Sequence, residues 1–172
     1  ANTITKIIAI SRKRKETMSK TVISISGTPG TGKSTLAKLL QKKLSFTRLD
    51  LHDYRKEIST SYNHSKKCYD VDLKRFEKLV KTKMKGHDQL VIDSHISHLL
   101  PKKWIDLCIV LVCSDLKKLK RRLEKRNYSA AKVRENLDAE IFQICLVEAE
   151  EMGHNIMVID TAKKLDERKI VK

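Results

Sequence analysis

GTPGTGKST, residues 27–35, lies between a β-branched run, TVISIS at 21–26, and a helical pattern, LAKLLQKKL at 36–44. Within it, Gly27-x-x-x-x-Gly32-Lys33-Ser34 has the spacing of a phosphate-binding loop, with a strand before it and a helix after it. Gly27, Gly30 and Gly32 let the backbone turn so that successive N–H groups converge on phosphate oxygens at the positive end of the following helix. Lys33 adds an ammonium for the β and γ phosphates. Ser34 offers a hydroxyl to Mg²⁺, and Thr35 reaches the α-phosphate region. The motif therefore predicts a site for a nucleoside triphosphate with Mg²⁺.

Outward from this loop, short apolar runs alternate with helical patterns. Residues 21–26, 46–50, 89–93 (QLVID), 106–112 (DLCIVLV) and 155–160 (NIMVID) look like strands buried on both faces, as a parallel sheet requires. Leu36, Leu40 and Leu44 form one helical stripe, and Leu116, Leu119 and Leu123 another. Val133, Leu137, Ile141, Ile144 and Glu148 predict one long third helix. The pattern predicts a three-layer α/β/α fold with a five-stranded parallel sheet. Residues 51–87 are more polar and less regular, and 127–131 interrupts two helices, so both are expected to carry moving parts.

The chain has 172 residues, the length of one domain. Its 37 Lys and Arg against 21 Asp and Glu give a formal charge of +16, which favours polyanionic partners. No run approaches the roughly 18–20 apolar residues of a membrane span. Cys68, Cys108, Cys113 and Cys145 show no C-x-x-C spacing and are expected to be reduced thiols in a cytoplasmic protein, or a nuclear one if the source is eukaryotic. Residues 1–17 carry the basic block 12–15 ahead of Met18, and are expected to be an N-terminal extension to a P-loop domain spanning 18–172.

A metal-side carboxylate is expected at the end of a neighbouring strand, where VID delivers Asp93. If that strand continues, its period of two aims His95 to the same side, in an acid–base or water-positioning role. His98 completes an H-x-x-H spacing but lacks further ligands nearby, and a capping or packing role is the favoured one. Arg122 and Arg126, four apart, share a helical face toward the break at Asn127, where mobile cations can neutralise a transferring phosphoryl group.

GTPGTGKST, DSHISHLLPKKW at 93–104, RRLEKRNYSAAKVRENLDAEIFQ at 121–143 and VIDT at 158–161, in this order, resemble the adenylate kinase isoenzyme six family over about residues 21–161. The resemblance implies a nucleoside monophosphate kinase fold, phosphoryl transfer from ATP to AMP, and an ATPase activity. It also implies binding to a small-subunit ribosomal protein, and action near rRNA in ribosome maturation. Matching positions place Gly30, Gly32, Lys33, Ser34 and Thr35 on ATP phosphates, Arg126 at a lid of about 125–135, and Asp93 with His95 as the metal-side pair. A monophosphate-binding segment would span about 50–73, with Arg55 the arginine available there to grip AMP. His52, Lys56, Lys66 and Lys67 in the same segment suit a different anionic partner. Two activities stay open, a kinase acting as a monomer and an ATP-hydrolysing switch that releases a ribosomal partner.

Overall fold

The structure is a computed structural model and describes residues 5, 7–10, 13, 20–63 and 68–163. Met18, Lys66, Lys67 and all of the block 12–15 except Lys13 lie outside these. Five parallel strands form the sheet: β1 (Thr21–Gly27), β2 (Thr47–Asp50), β5 (Gln89–Asp93), β6 (Leu107–Val112) and β7 (Ile156–Asp160), in the order β2-β5-β1-β6-β7. Each expected strand is present. Their side chains alternate between two apolar layers. Ile23, Ile25, Val91, Ile109 and Leu111 pack with Leu36, Ala37 and Leu40 of α1 (Lys33–Leu44). Val22, Leu90, Ile92, Cys108 and Val110 face the other way, against Phe76, Leu79 and Val80 of α3 (Leu73–Gly86) and Ala149 of α6 (Ile144–Glu151). Burial on both faces is why the inner strands β5 and β6 are apolar along nearly their whole length, whereas the edge strands β2 and β7, expected to be buried on both faces, keep part of their surface in water. Phe46 and Phe76, each buried, contribute roughly 2 kcal/mol apiece by removing their rings from water. Ile7, helical and fully buried, joins the α1-side layer.

Residues 51–87 hold more regular structure than their polarity suggests. A 3₁₀ turn (Leu51–Tyr54) and one turn of helix, α2 (Arg55–Ile58), lead into an antiparallel hairpin, β3 (Ser59–Asn63) with β4 (Cys68–Val71). The amphipathic helix α3 follows, capped by the Asp72 carboxylate on Arg75 N–H. The hairpin strands are short and polar because they stand apart from the main sheet.

The expected long third helix is two helices. α5 (Ala130–Ile141) starts at a Ser129 cap, and α6 starts after Gln143, whose φ of 51° is left-handed. α5 buries Val133 and Leu137 against Leu119 and Leu123 of α4 (Leu116–Glu124), whereas α6 packs Cys145, Leu146 and Ala149 onto the sheet. Two partners in different directions need two buried faces, so the register jumps at the kink and leaves Ile141 and Ile144 exposed. Among the described residues, no helix is long and apolar enough to cross a membrane.

Candidate functional site

The carboxyl ends of β2, β5, β1 and β6 meet at one edge of the sheet, where parallel α/β folds hold ligands. β1 runs directly into the glycine loop. Gly27 has φ 138°, and a Cβ there would lie 2.3 Å from Leu111 O, so the paired strand β6 leaves room for glycine alone. Gly32, with φ 97°, caps α1, and the helix then opens on Lys33, Ser34 and Thr35 with no acidic residue in its first turn. Its N-terminus is left electropositive.

The Lys33 amine donates to Gly27 O at 2.7 Å and Thr28 O at 3.1 Å. It thus stands over the loop, on acceptors that phosphate oxygens would replace. Burial lowers its pKa to about 8, with the Asp93 charge opposing.

Asp93 ends β5, 4 % exposed and in register with Asp50 of β2. The Arg48 guanidinium holds both. Its Nε and one NH₂ lie 3.0 and 2.6 Å from Asp93 Oδ2, and the same NH₂ lies 2.5 Å from Asp50 Oδ2. Sequence reasoning missed Arg48 and Asp50. A period-two charged pair, Arg48 and Asp50 on either side of the buried Leu49 in TRLD, was the available signal. Arg48 takes one oxygen of Asp93. That carboxylate and the Ser34 hydroxyl are hard oxygen donors of the kind Mg²⁺ prefers, so these residues fit the ion.

β5 does not continue to His95. The chain leaves the sheet after Asp93 and turns, tied back to β1 by Ser94 N–H and the Ser97 hydroxyl on Ile25 O. His95 is therefore presented by a turn, not by strand alternation. It keeps a solvent-facing edge, yet the protein packed around the ring and the Lys33 charge lower its pKa to about 4. His98 points inward and is buried. Cys145 on α6 comes within 3.8 Å of His95 O, and burial pushes its thiol pKa up.

Arg122 and Arg126 do not share a helical face, because α4 stops at Glu124 and Arg126 lies past its end. Arg122 is anchored by donating to Gly30 O, Thr161 Oγ1 and Thr161 O at 3.2, 3.4 and 2.9 Å. Arg126 is exposed, and both line a cavity of about 750 Å³ with Gly32, Thr35, Lys42 and Thr161. That volume suits a nucleotide-sized ligand. Arg55 is engaged locally, its NH1 lying 2.6 Å from His52 Nε2.

A parallel α/β sheet that ends in this glycine loop, with lysine, serine and aspartate around it, defines a P-loop nucleotide-binding protein. Residues 23–143 match the AAA domain family. A Methanocaldococcus jannaschii protein named "Putative adenylate kinase" is 35 % identical over 144 residues, 83 % of this chain and 77 % of that one. A Dictyostelium discoideum "Adenylate kinase isoenzyme 6 homolog" is 36 % identical over 141 residues, 80 % of this chain and 79 % of that one. The chain belongs to the family of these proteins and carries its AAA domain. The deoxyadenosine kinase from M. mycoides with bound dATP shares the fold, with a TM-score of 0.56 at 15 % identity, over 87 % of this chain and 95 % of that one.

Proposed function

We propose that the chain is a Mg²⁺-dependent nucleoside monophosphate kinase that transfers the γ-phosphoryl group of ATP to AMP. The observation that carries this reading is the Lys33 cradle at the end of β1, with Arg122 and Arg126 lining a cavity of nucleotide size beside α1. Cations positioned in this way offset the charge spread over the transferring oxygens. The names of the relatives support the same activity.

In this reading the loop amides and Lys33 hold the triphosphate tail, the amine exchanging the carbonyls of Gly27 and Thr28 for phosphate oxygens. Arg126, free of the helix, neutralises the transferring oxygens. Ser34 and Asp93 would hold Mg²⁺, which when bound offsets phosphate charge and orients the tail. The acceptor enters over β2 and the hairpin, where Arg55 is the cation at hand. Its phosphate oxygen attacks in line, and ADP leaves on both sides. The two products are equal only for an AMP acceptor. Product analysis with ATP and each nucleoside monophosphate tests this. Turnover that rises steeply with AMP supports the kinase, and ADP formation indifferent to every monophosphate removes it.

A second reading is an ATP-hydrolysing switch that releases a small-subunit ribosomal protein during rRNA maturation, as in the family the sequence resembles. It is favoured by an exposed apolar strip at the kink, where Ile141 is 54 % and Phe142 70 % exposed. This strip adjoins α6, which touches the His95 turn. ATP-dependent release of the partner, lost in His95→Ala while nucleotide affinity is kept, would establish it.

A further inference from the structure

On the face of the sheet opposite α1, three side chains from three elements form a hydrogen-bonded chain that the transfer scheme above leaves unused. Ser26, the last side chain of β1 before Gly27, has Oγ 2.5 Å from His98 Nδ1, and His98 Nε2 lies 2.7 Å from Glu148 Oε2 on α6. Ser26 and His98 are buried, while the Glu148 side chain reaches water. The backbone of His98 is held too, because its carbonyl accepts from His154 Nε2 at 2.7 Å.

The chemistry of these groups sets the protons. A carboxylate only accepts, so Nε2 of His98 carries a hydrogen. Burial lowers the His98 pKa, with Glu148 opposing, which favours the neutral ring at neutral pH, with Nδ1 a bare acceptor. Ser26 must then donate to it. The same hydroxyl has a second acceptor within reach, His95 O at 3.2 Å. It has only one hydrogen. While His98 is neutral the hydrogen goes to Nδ1; once His98 is protonated, Nδ1 becomes a donor and the hydroxyl is free to turn to His95 O. The state of His98 therefore decides how firmly the turn bearing His95 is fastened to the strand bearing the phosphate loop.

We propose that His98, held between Glu148 and Ser26, is a positioning residue that sets the His95 turn against the phosphate loop and so the rate of phosphoryl transfer. This rests on the phosphoryl-transfer reading, but it applies equally to ATP hydrolysis at the same site. α6 supplies both grips on the turn, Glu148 at His98 and Cys145 at His95 O, one helical turn apart on a shared face. The titratable groups facing His98 are Glu148 of α6, His154 ahead of β7 and His95 on its own turn, and the Cys145 thiol of α6 reaches Ser26.

The test combines kinetics with imidazole ¹⁵N NMR on the full chain. His98→Ala is expected to lower kcat on the order of 10- to 100-fold, as loss of an orienting hydrogen bond does elsewhere, with the KM for ATP nearly unchanged. NMR of the parent should show Nε2 protonated and Nδ1 bare. Should His98→Ala fail to fold, Glu148→Gln carries the test. Its amide still accepts from Nε2 without the charge, so the His98 titration should move to lower pH, and the pH step that it sets in kcat should move with it. Parental kcat in His98→Ala, a ring protonated at Nδ1, or a pH step in kcat that stays in place while the His98 titration moves in Glu148→Gln overturns the proposal. Failure of the kinase reading shows differently, as turnover indifferent to AMP in the parent protein.

Discussion

Replacing Arg48 with alanine would leave Asp93, its side chain 3 % exposed, and its neighbour Asp50 facing each other with no guanidinium between them. Removing one partner of a fully sealed ion pair costs roughly 3–5 kcal/mol, and removing an exposed one about 0–1 kcal/mol. Arg48 and Asp50 keep 15 % and 21 % of their side chains in water, so the cost falls between these limits, at about 2 kcal/mol. For a chain of this length, that lowers Tm by about 4–8 °C. A bound cation at Asp93 would do the work of the lost guanidinium, so the deficit should shrink when Mg²⁺ and ATP are present. Arg48→Lys, which restores charge but not the fork, should recover only part. Thermal unfolding of parent and variants, with and without Mg²⁺ and ATP, measures all of this. A variant melting within about 1 °C of the parent refutes the weight given to the Arg48–Asp93 pair, and a deficit unchanged by metal and nucleotide refutes the proposal that Asp93 holds the cation.

Gly27→Ala forces a Cβ against Leu111 O at 2.3 Å and should displace the loop, with turnover falling about 100-fold. Gly32→Ala, with nothing within 4 Å of the new Cβ, meets only backbone strain of roughly 1–3 kcal/mol and should keep more activity; equal losses would contradict the contrast. Lys33, with a pKa of about 8 in the free protein and charged on phosphates, should draw about half a proton from buffer when ATP binds at pH 8 and almost none at pH 6.5. Calorimetry in buffers of different ionisation enthalpy reads this directly. The unfolded chain binds more protons at this lysine between pH 8 and 10.5, so its contribution to stability rises with pH across that window. Phe142→Ser, at a side chain 70 % exposed, should change stability by less than about 0.5 kcal/mol while weakening capture of any partner that uses the kink. Tm and pull-down yield separate those effects.

Features that depend on neighbours along the chain are legible in the order of amino acids alone. The glycine loop needs particular φ angles at Gly27 and Gly32, and the inner strands β5 and β6 need short apolar runs, so loop and strands are written in adjacent residues. Even so, local periodicity fails at residues 142–143. The stripe through Val133, Ile141 and Ile144 is helical throughout, and only the two packing partners of α5 and α6 reveal the break. The strand reading fails at His95 for a similar reason, because tertiary bonds to Ile25 O pull the chain into a turn.

The sequence by itself determined that this chain builds a five-stranded P-loop sheet with Lys33, Ser34 and Asp93 at its edge, since each rests on short-range backbone geometry and hydrophobic pattern. Only the tertiary structure decided which cation meets Asp93 and which groups stand behind His95. Arg48 reaches Asp93 across 45 residues, and Ser26, His98 and Glu148 meet across separations of 72 and 50. Side chains that far apart become neighbours through strand order and helix packing, which buried apolar area selects and no local pattern encodes.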